Sequence, residues 1–159
     1  MIKPILIPKS RIPVVVGKNG ETKKNIERMT STKIEINEDV LIEGKAIDIM
    51  NANNIITAIG RGFSPKKAME LMDENNCFYM IPLPHDRKTL IRVRARIIGT
   101  NGKCKRMIEN LTNTSISVYG KTASIIGSFD DVDAARDAIE RLVKGSPHKN
   151  VYRLLQSRK

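Results

Sequence analysis

The spacing between apolar residues alternates between two patterns along the first half of the chain. Alternation with period two, typical of half-buried strands, gives way to apolar residues three and four positions apart, typical of helices that bury one face. Gly60 follows the longest helical pattern and is predicted to cap it in a left-handed conformation. The predicted strands are 3–7, 32–37 and 40–43, and the predicted helices are 11–16, 21–29 and 46–59.

The second half repeats this succession after a short break. Ser64 is a good helix N-cap and Pro65 suits the first helical position, so together they predict a further short helix ending at 71 or 72. Beyond it, the predicted strands are 77–83, 115–119 and 123–126, and the predicted helices are 92–98, 103–110, 130–144 and, near the C-terminus, 151–155.

A short stretch with glycine at both ends occupies the same place in both halves. The first copy is Gly17-Lys18-Asn19-Gly20 and the second, 82 residues further on, is Gly99-Thr100-Asn101-Gly102. From Gly17 to Ile34, 9 of 18 aligned positions are identical without a gap, which indicates a duplicated domain rather than a solenoid. The predicted domains are 1–62 and 77–146, with a linker helix at 63–76 and a C-terminal tail or helix at 147–159.

Positive charge is concentrated in the second copy. The chain carries 28 lysines and arginines against 17 aspartates and glutamates, a net charge of +11. Up to Pro84 these numbers are 12 and 10, and after it they are 16 and 7. A basic surface attracts polyanions, namely nucleic acid, an anionic membrane surface or an acidic protein. Aromatic residues make up only 4% of the chain, which argues against stacking of bases on exposed rings.

Several functional classes find little support in the sequence. No apolar run approaches the roughly 18 residues of a membrane helix, and the N-terminus lacks the layout of a signal peptide, so a cytoplasmic protein without a membrane partner is expected. Cys77 and Cys104 form no Cys-x-x-Cys pair, and His85 and His148 have no ligand partners at metal-binding spacing. We therefore expect no metal, no cofactor, no small-molecule substrate and no catalytic residue.

The repeated glycine turn has the features of a phosphate site. Glycines at both ends let another chain approach the backbone, and the next helix begins there with unpaired N–H groups and the positive end of its dipole. The apolar pair before the turn and the isoleucines of the following strand would form the walls of a shallow groove for unstacked bases. A single Gly-x-x-Gly is a weak signal, but its duplication in the same context strengthens it considerably.

In this context the two turns resemble the Gly-x-x-Gly loop of the KH domain in its eukaryotic-type order, β-α-α-β-β-α. The resemblance covers nearly the whole chain. It implies an α+β fold of two tandem type I KH domains, each a three-stranded sheet packed against three helices. The function it implies is binding of single-stranded RNA without catalysis.

More narrowly, four stretches resemble the Partner of Nob One family of ribosome-assembly factors in its archaeal form. They are Ala58-Ile59-Gly60-Arg61-Gly62-Phe63-Ser64-Pro65, Ile108-Glu109-Asn110-Leu111-Thr112, Ile126-Gly127-Ser128-Phe129 and Val151-Tyr152. This resemblance implies binding at the 3′ end of small-subunit ribosomal RNA during maturation, beside the endonuclease Nob One. Eukaryotic relatives lack the first Gly-x-x-Gly loop that this sequence keeps. Two interpretations of the first domain therefore stay open, one that it binds RNA and one that it binds protein.

The charge asymmetry favours the second copy as the main RNA contact. Lys103 and Arg106 can share one helical face beside the loop. The candidate RNA-binding residues are Gly99, Thr100, Asn101, Gly102, Lys103, Arg106, Arg96, Ile98, Ile116 and Val118. The secondary candidates are Gly17, Lys18, Asn19 and Gly20.

Two other functions stay open. The basic face could contact acidic protein partners in a KH-domain interaction scaffold whose loops do not touch RNA. Alternatively, the chain could be the RNA-binding cap of an RNA-degrading complex, although such caps usually carry a barrel-like S1 domain as well.

Overall fold

The computed structural model describes residues 1–158, which form two compact units, the first spanning Met1–Glu74 and the second beginning at Asn75. The strands of the first unit are β1 (Ile2–Ile5), β2 (Lys33–Ile36) and β3 (Val40–Glu43). Its helices are α1 (Ile12–Val16), α2 (Glu21–Thr30), α3 (Ala46–Gly60) and α4 (Pro65–Ala68), with 3-10 turns at Lys9–Arg11, Lys18–Gly20 and Met69–Met72.

The second unit repeats this order through its third helix and ends in a longer fourth helix. Its strands are β4 (Asn76–Pro82), β5 (Ser115–Tyr119) and β6 (Thr122–Ser128). Its helices are α5 (Arg87–Ile98), α6 (Lys103–Thr112), α7 (Phe129–Val143) and α8 (His148–Gln156), with a 3-10 turn at Thr100–Gly102 between α5 and α6. None of the helices within residues 1–158 is both long enough and apolar enough to cross a membrane.

Each unit contains one antiparallel sheet of three strands with the last strand in the middle. The strand order is β1-β3-β2 in the first unit and β4-β6-β5 in the second. Ile34 pairs with Ile42 across the first sheet, and Ile116 pairs with Ile125 across the second. This confirms the predicted α+β fold with two three-stranded sheets.

Isoleucine is the most frequent residue in the buried core of both units. In the second unit Ile97, Ile108, Ile125 and Ile139 are all completely buried, one each from α5, α6, β6 and α7. Burying an isoleucine side chain contributes about 2 kcal/mol, so these four positions hold the two helices beside the 3-10 turn firmly against the sheet. The apolar periodicity of the sequence therefore fixes where the turn between α5 and α6 lies.

Two local predictions were wrong at helix ends. Helix α5 begins at Arg87 rather than at 92, because the Asp86 carboxylate caps it by accepting a hydrogen bond from the Thr89 amide at 3.0 Å. Gly60 lies inside α3 and is not left-handed, and Gly62 takes the positive φ of 102° instead. Glycine is required at position 60 for space, because a Cβ there would lie 2.6 Å from Cγ2 of Ile7.

The segments outside the two predicted domains are integral parts of the units. Residues 63–74, interpreted from the sequence as a linker, belong to the first unit, where Phe63 and Ala68 are buried. In the segment 147–158, helix α8 buries Val151 and Leu155 in the core of the second unit. The C-terminal segment is therefore packed rather than a free tail.

Candidate nucleic-acid interface

The turn between α5 and α6 takes an unusual backbone conformation at three of its four residues. Gly99, Asn101 and Gly102 have φ values of 74°, 54° and 77°. The amide of Gly102 donates to the carbonyl oxygen of Gly99 at 3.1 Å and closes the turn. Glycine adopts positive φ without strain, and asparagine is the side chain that tolerates it best.

Each position of this turn has a physical reason for its residue. A Cβ on Gly99 would lie 2.7 Å from both Cβ and the amide nitrogen of Cys104, which leaves no space for any other residue. In the first unit the corresponding φ values are 75° at Gly17, 57° at Asn19 and 74° at Gly20. The two loops therefore share one shape, and the identical residues in them are explained by backbone geometry.

The surroundings of the two loops differ in charge. Lys103 begins α6 beside the second loop, whereas Glu21 occupies the equivalent position beside the first. Arg106 donates from Nη1 to the carbonyl oxygen of Asn101 at 2.8 Å, so its guanidinium group lies over the loop while remaining exposed. The exposed residues Thr100 and Asn101 thus have two cations within one helical turn.

The predicted apolar walls of the groove are only partly accessible. Ile98 and Val118 are half-buried and expose part of their side chains. Ile116 is 3% exposed and belongs to the core of the second unit. Its position leaves little apolar surface for a base, so Ile98 and Val118 are the groove residues that the structure makes available.

The Arg96 side chain binds backbone carbonyl oxygens near the end of α7, a structural role that the sequence did not predict. Its Nε donates to the carbonyl oxygen of Leu142 at 3.2 Å, and its Nη2 donates to the carbonyl oxygen of Ser146. Leu142 lies in the last turn of α7 and Ser146 lies just beyond the end of that helix. The guanidinium group is therefore occupied by backbone oxygens and is poorly placed to bind a phosphate.

Three of the six other identical residues of the repeat form a second, structural device. Glu109 accepts a hydrogen bond from the amide of Ile116 at 2.8 Å and pairs with Lys105 at 3.3 Å, which joins α6 to β5. Glu27 makes the matching contacts with the amide of Ile34 at 2.8 Å and with Lys23 at 3.4 Å. We call this arrangement the helix–strand latch, and it accounts for the lysines at these positions without RNA.

Two basic residues on α5 were not selected from the sequence. Arg94 lies one turn before Ile98 on the same helical face, and its side chain has no hydrogen bond or ion pair within residues 1–158. Arg92 lies on another face and lines a cleft with Arg96, on the side of the loop where α8 packs. The spacing of four residues, from Arg94 to Ile98 and from Arg92 to Arg96, could have separated these two faces in advance.

Ionisable groups near the loop are perturbed mainly by burial. Burial raises the pKa of the Cys104 thiol, against a smaller lowering by its hydrogen bond with Tyr152. Burial and that same hydrogen bond raise the pKa of Tyr152 to about 12. Both groups are neutral at physiological pH, and within residues 1–158 no cluster of three or more histidine, cysteine or acidic side chains is placed to hold a metal ion.

Comparison with protein families gives matches over both units. A family described as eukaryotic-type KH domain (KH-domain type I) matches residues 80–159, and one described as KH domain matches residues 2–74.

Curated relatives of the chain come from archaea and eukaryotes. The chain is 36% identical over 165 residues to a KH domain-containing protein of Methanocaldococcus jannaschii, covering 98% of this chain and 73% of that protein. It is 36% identical over 111 residues to the RNA-binding protein PNO1 of Oryzias latipes, covering 65% of this chain and 45% of that protein. It is 28% identical to the pre-rRNA-processing protein PNO1 of Debaryomyces hansenii, covering 88% of this chain and 55% of that protein. The chain thus spans about half the length of these PNO1 relatives.

Two solved structures from Pyrococcus horikoshii are similar over almost the whole chain. One is Dim2p, at 43% identity and a TM-score of 0.93, with 99% of both chains covered. The other is described as an a/eIF2alpha–aDim2p–rRNA complex, at 43% identity and a TM-score of 0.91, with 99% of this chain and 93% of that chain covered.

Proposed function

This chain belongs to the KH-domain family, and from that premise we propose that it is a non-catalytic adaptor that binds single-stranded RNA during ribosomal RNA processing. We propose the 3′ end region of small-subunit ribosomal RNA as its target and the second Gly-x-x-Gly loop as its main contact. The observation that carries this proposal is the backbone of Gly99–Gly102, exposed at its tip and flanked by Lys103 and Arg106.

A phosphate backbone suits this loop physically. Gly99 and Gly102 carry no side chains that would keep a phosphate away, and α6 presents the positive end of its dipole directly after them. Lys103 adds a full charge at that point, and Arg106 adds a second while it holds the Asn101 carbonyl. The expected footprint is about four nucleotides, as for other loops of this kind.

Bases would lie along the groove beside the loop. Ile98 and Val118 offer partly exposed aliphatic surface, and Arg94 adds a cation on the Ile98 face of α5. We propose that Ile98, Val118 and Arg94 contact the RNA. We leave Arg96 and Ile116 out of the contact set because Arg96 binds two carbonyls and Ile116 is part of the core.

The names of the similar proteins support ribosomal RNA as the ligand. PNO1 relatives are described as RNA-binding and pre-rRNA-processing proteins, and the Pyrococcus neighbour is described in a complex with rRNA. These descriptions favour ribosomal RNA processing over the RNA-degrading complex left open by the sequence. The endonuclease Nob One is proposed as a partner and the cytoplasm as the location.

The first unit is proposed as a weaker RNA contact. Its loop has the same backbone shape, with Lys18 and Asn19 exposed, but Glu21 replaces the lysine that begins the following helix. A carboxylate at that position repels phosphate, so the first loop should contribute less to affinity.

The proposal is tested by placing negative charge on one loop at a time. Thr100→Asp with Asn101→Asp puts two carboxylates on the phosphate path, and aspartate tolerates the backbone conformation of Asn101. We expect affinity for a single-stranded oligonucleotide from the 3′ end of small-subunit ribosomal RNA to fall by more than about 100-fold in fluorescence anisotropy. Circular dichroism should stay native.

The matched control is Lys18→Asp with Asn19→Asp in the first loop, for which we expect a loss of no more than about 10-fold. Equal losses would show that the two loops are ranked wrongly. Unchanged affinity after substitution of the second loop would overturn its assignment as an RNA site. An interaction scaffold whose loops do not touch RNA would instead show no salt-dependent binding of the oligonucleotide.

A further inference from the structure

The second loop borders a cleft on the side away from the apolar groove. Helix α5, the loop, the start of α6 and helix α8 surround it, and its volume is about 500 Å³. Gly99 and Thr100 line both the loop and the cleft, so a strand lying on the loop has direct access to it. The volume lies within the range of natural ligand pockets, about 300 to 1,000 Å³.

Two unpaired cations line this cleft. Neither the side chain of Arg92 nor that of Lys103 makes an ion pair or hydrogen bond within the described part of the chain, residues 1–158. Arg96 also lines the cleft, but its guanidinium group is occupied by carbonyl oxygens. Cations without partners at the rim of a concave site attract a phosphate more effectively than the paired charges elsewhere on the unit.

The opposite wall consists of two rings from α8. His148 and Tyr152 have ring centroids 6.2 Å apart and an angle of 46° between their planes. His148 Nε2 lies 2.8 Å from the carbonyl oxygen of Arg96, and because a carbonyl only accepts, this nitrogen carries the proton and Nδ1 remains available. Tyr152 hydrogen-bonds to Cys104, which fixes its ring. Such a wall offers an apolar face and one polar atom to a ribose or base.

The equivalent place in the first unit lacks these groups. With the 82-residue offset of the repeat, Ser10 corresponds to Arg92 and Glu21 corresponds to Lys103. The cleft chemistry is therefore particular to the second unit, which also carries most of the net positive charge.

We propose that this cleft binds one phosphate-bearing nucleotide of the RNA strand, immediately outside the nucleotides held by the loop and groove. Arg92 and Lys103 neutralise its phosphate, and His148 and Tyr152 contact its ribose or base. The inference rests on the proposed function of the second loop. It extends the RNA footprint to a place with an aromatic wall, which the loop and the aliphatic groove do not offer.

The test compares RNAs of different length on the full chain. A core of about four nucleotides occupies the loop and groove, and two longer RNAs extend this core by about three nucleotides at one end or the other. We expect one extension to raise affinity about 5-fold or more by anisotropy. Arg92→Ala should abolish that gain while changing affinity for the core by less than about 2-fold.

Lys88→Ala is the matched control, because Lys88 lies one turn earlier on the same helical face, is exposed and does not line the cleft. Lys88→Ala should keep the increase in affinity that the extension gives. A 4-thiouridine at the added position should crosslink to a peptide containing Tyr152, whereas one within the core should not.

The outcomes separate this inference from the proposed function. If the unsubstituted protein binds no RNA, both fail together. If it binds RNA but Arg92→Ala weakens core and extended RNAs equally, or weakens neither, only the cleft assignment is overturned. If free 5′-AMP or 3′-AMP occupies the cleft as tightly as the extended strand does, the cleft is a mononucleotide site and the inference is likewise overturned.

Discussion

The Nε atom of Arg96 lies 3.2 Å from the carbonyl oxygen of Leu142, which ties helix α5 to the end of helix α7. In the first unit Arg11 does the same for α3, with its Nε 2.8 Å from the carbonyl oxygen of Ile59. Yet the offset of the repeat pairs Arg11 with Val93, not with Arg96. The two units thus make the same kind of contact from different sequence positions. In each unit an arginine adds a side-chain donor to a carbonyl near a helix end that also accepts a backbone N–H.

Replacing Arg96 by alanine should weaken folding rather than RNA binding. Two carbonyls lose a charged donor, so we expect the second unit to lose about 2 kcal/mol of unfolding free energy, measured by urea denaturation. Arg94→Ala removes the same charge from the same helix, but the Arg94 side chain has no hydrogen bond or ion pair within residues 1–158, so stability should change by less than about 0.5 kcal/mol. If Arg96→Ala kept native stability but lost much of its RNA affinity, Arg96 would be an RNA contact rather than a structural residue.

The two glycines of the first loop should differ in their tolerance of alanine. Both have positive φ, which costs a non-glycine residue about 1 kcal/mol. A Cβ on Gly17 would also lie 2.2 Å from Oγ1 of Thr22, whereas a Cβ on Gly20 would meet nothing within 4 Å. Gly17→Ala should therefore destabilise by about 3 kcal/mol and Gly20→Ala by about 1 kcal/mol. Thermal unfolding would measure both, and equal effects would contradict the steric explanation.

The helix–strand latch should depend on its glutamate more than on its lysine. Glu109→Ala leaves the half-buried amide of Ile116 without its acceptor, and we expect a loss of about 2 kcal/mol in unfolding free energy. Lys105→Ala removes only a partly exposed ion pair and should cost less than about 1 kcal/mol. A larger cost for the lysine would show that the ion pair, not the backbone hydrogen bond, joins α6 to β5.

Reversing the charge at Glu21 should strengthen the first loop as an RNA site. Glu21→Lys places a cation where the second unit has Lys103, so affinity for single-stranded RNA should rise about 3-fold or more at low salt. The log–log salt slope should become steeper by about 0.7 for each additional phosphate contact. Glu43→Lys, an equal change of charge at the end of β3, serves as the control and should have a smaller effect. No gain over this control would indicate that the first loop does not meet RNA.

Much of the fold could be predicted because it depends on signals that are local in sequence. Apolar periodicity marked the helices and strands, and the duplication identified two units of one topology. The left-handed loop was predictable in outline, since Gly99 and Gly102 supply a conformation that few other residues adopt. The start of α5 was missed because its cap, Asp86, lies in a segment without apolar periodicity.

The candidate site was predictable only in part. Thr100, Asn101 and Lys103, candidates from the sequence, are exposed, because loop tips and helix starts face solvent. Ile98 and Ile116 were both candidate groove residues, but of the two only Ile98 exposes surface, since burial depends on which side of the sheet and helix each residue faces.

By itself the sequence determined that this protein has two copies of one unit, where each Gly-x-x-Gly turn lies, and that the second copy is the more basic. Those properties depend on residue type and short spacing alone. Only the tertiary structure decided that Arg96 caps α7, that Glu109 holds β5, and that α8 completes a cleft with Arg92. These relationships join residues from 7 to 60 positions apart, and no local pattern encodes which group a long side chain will meet.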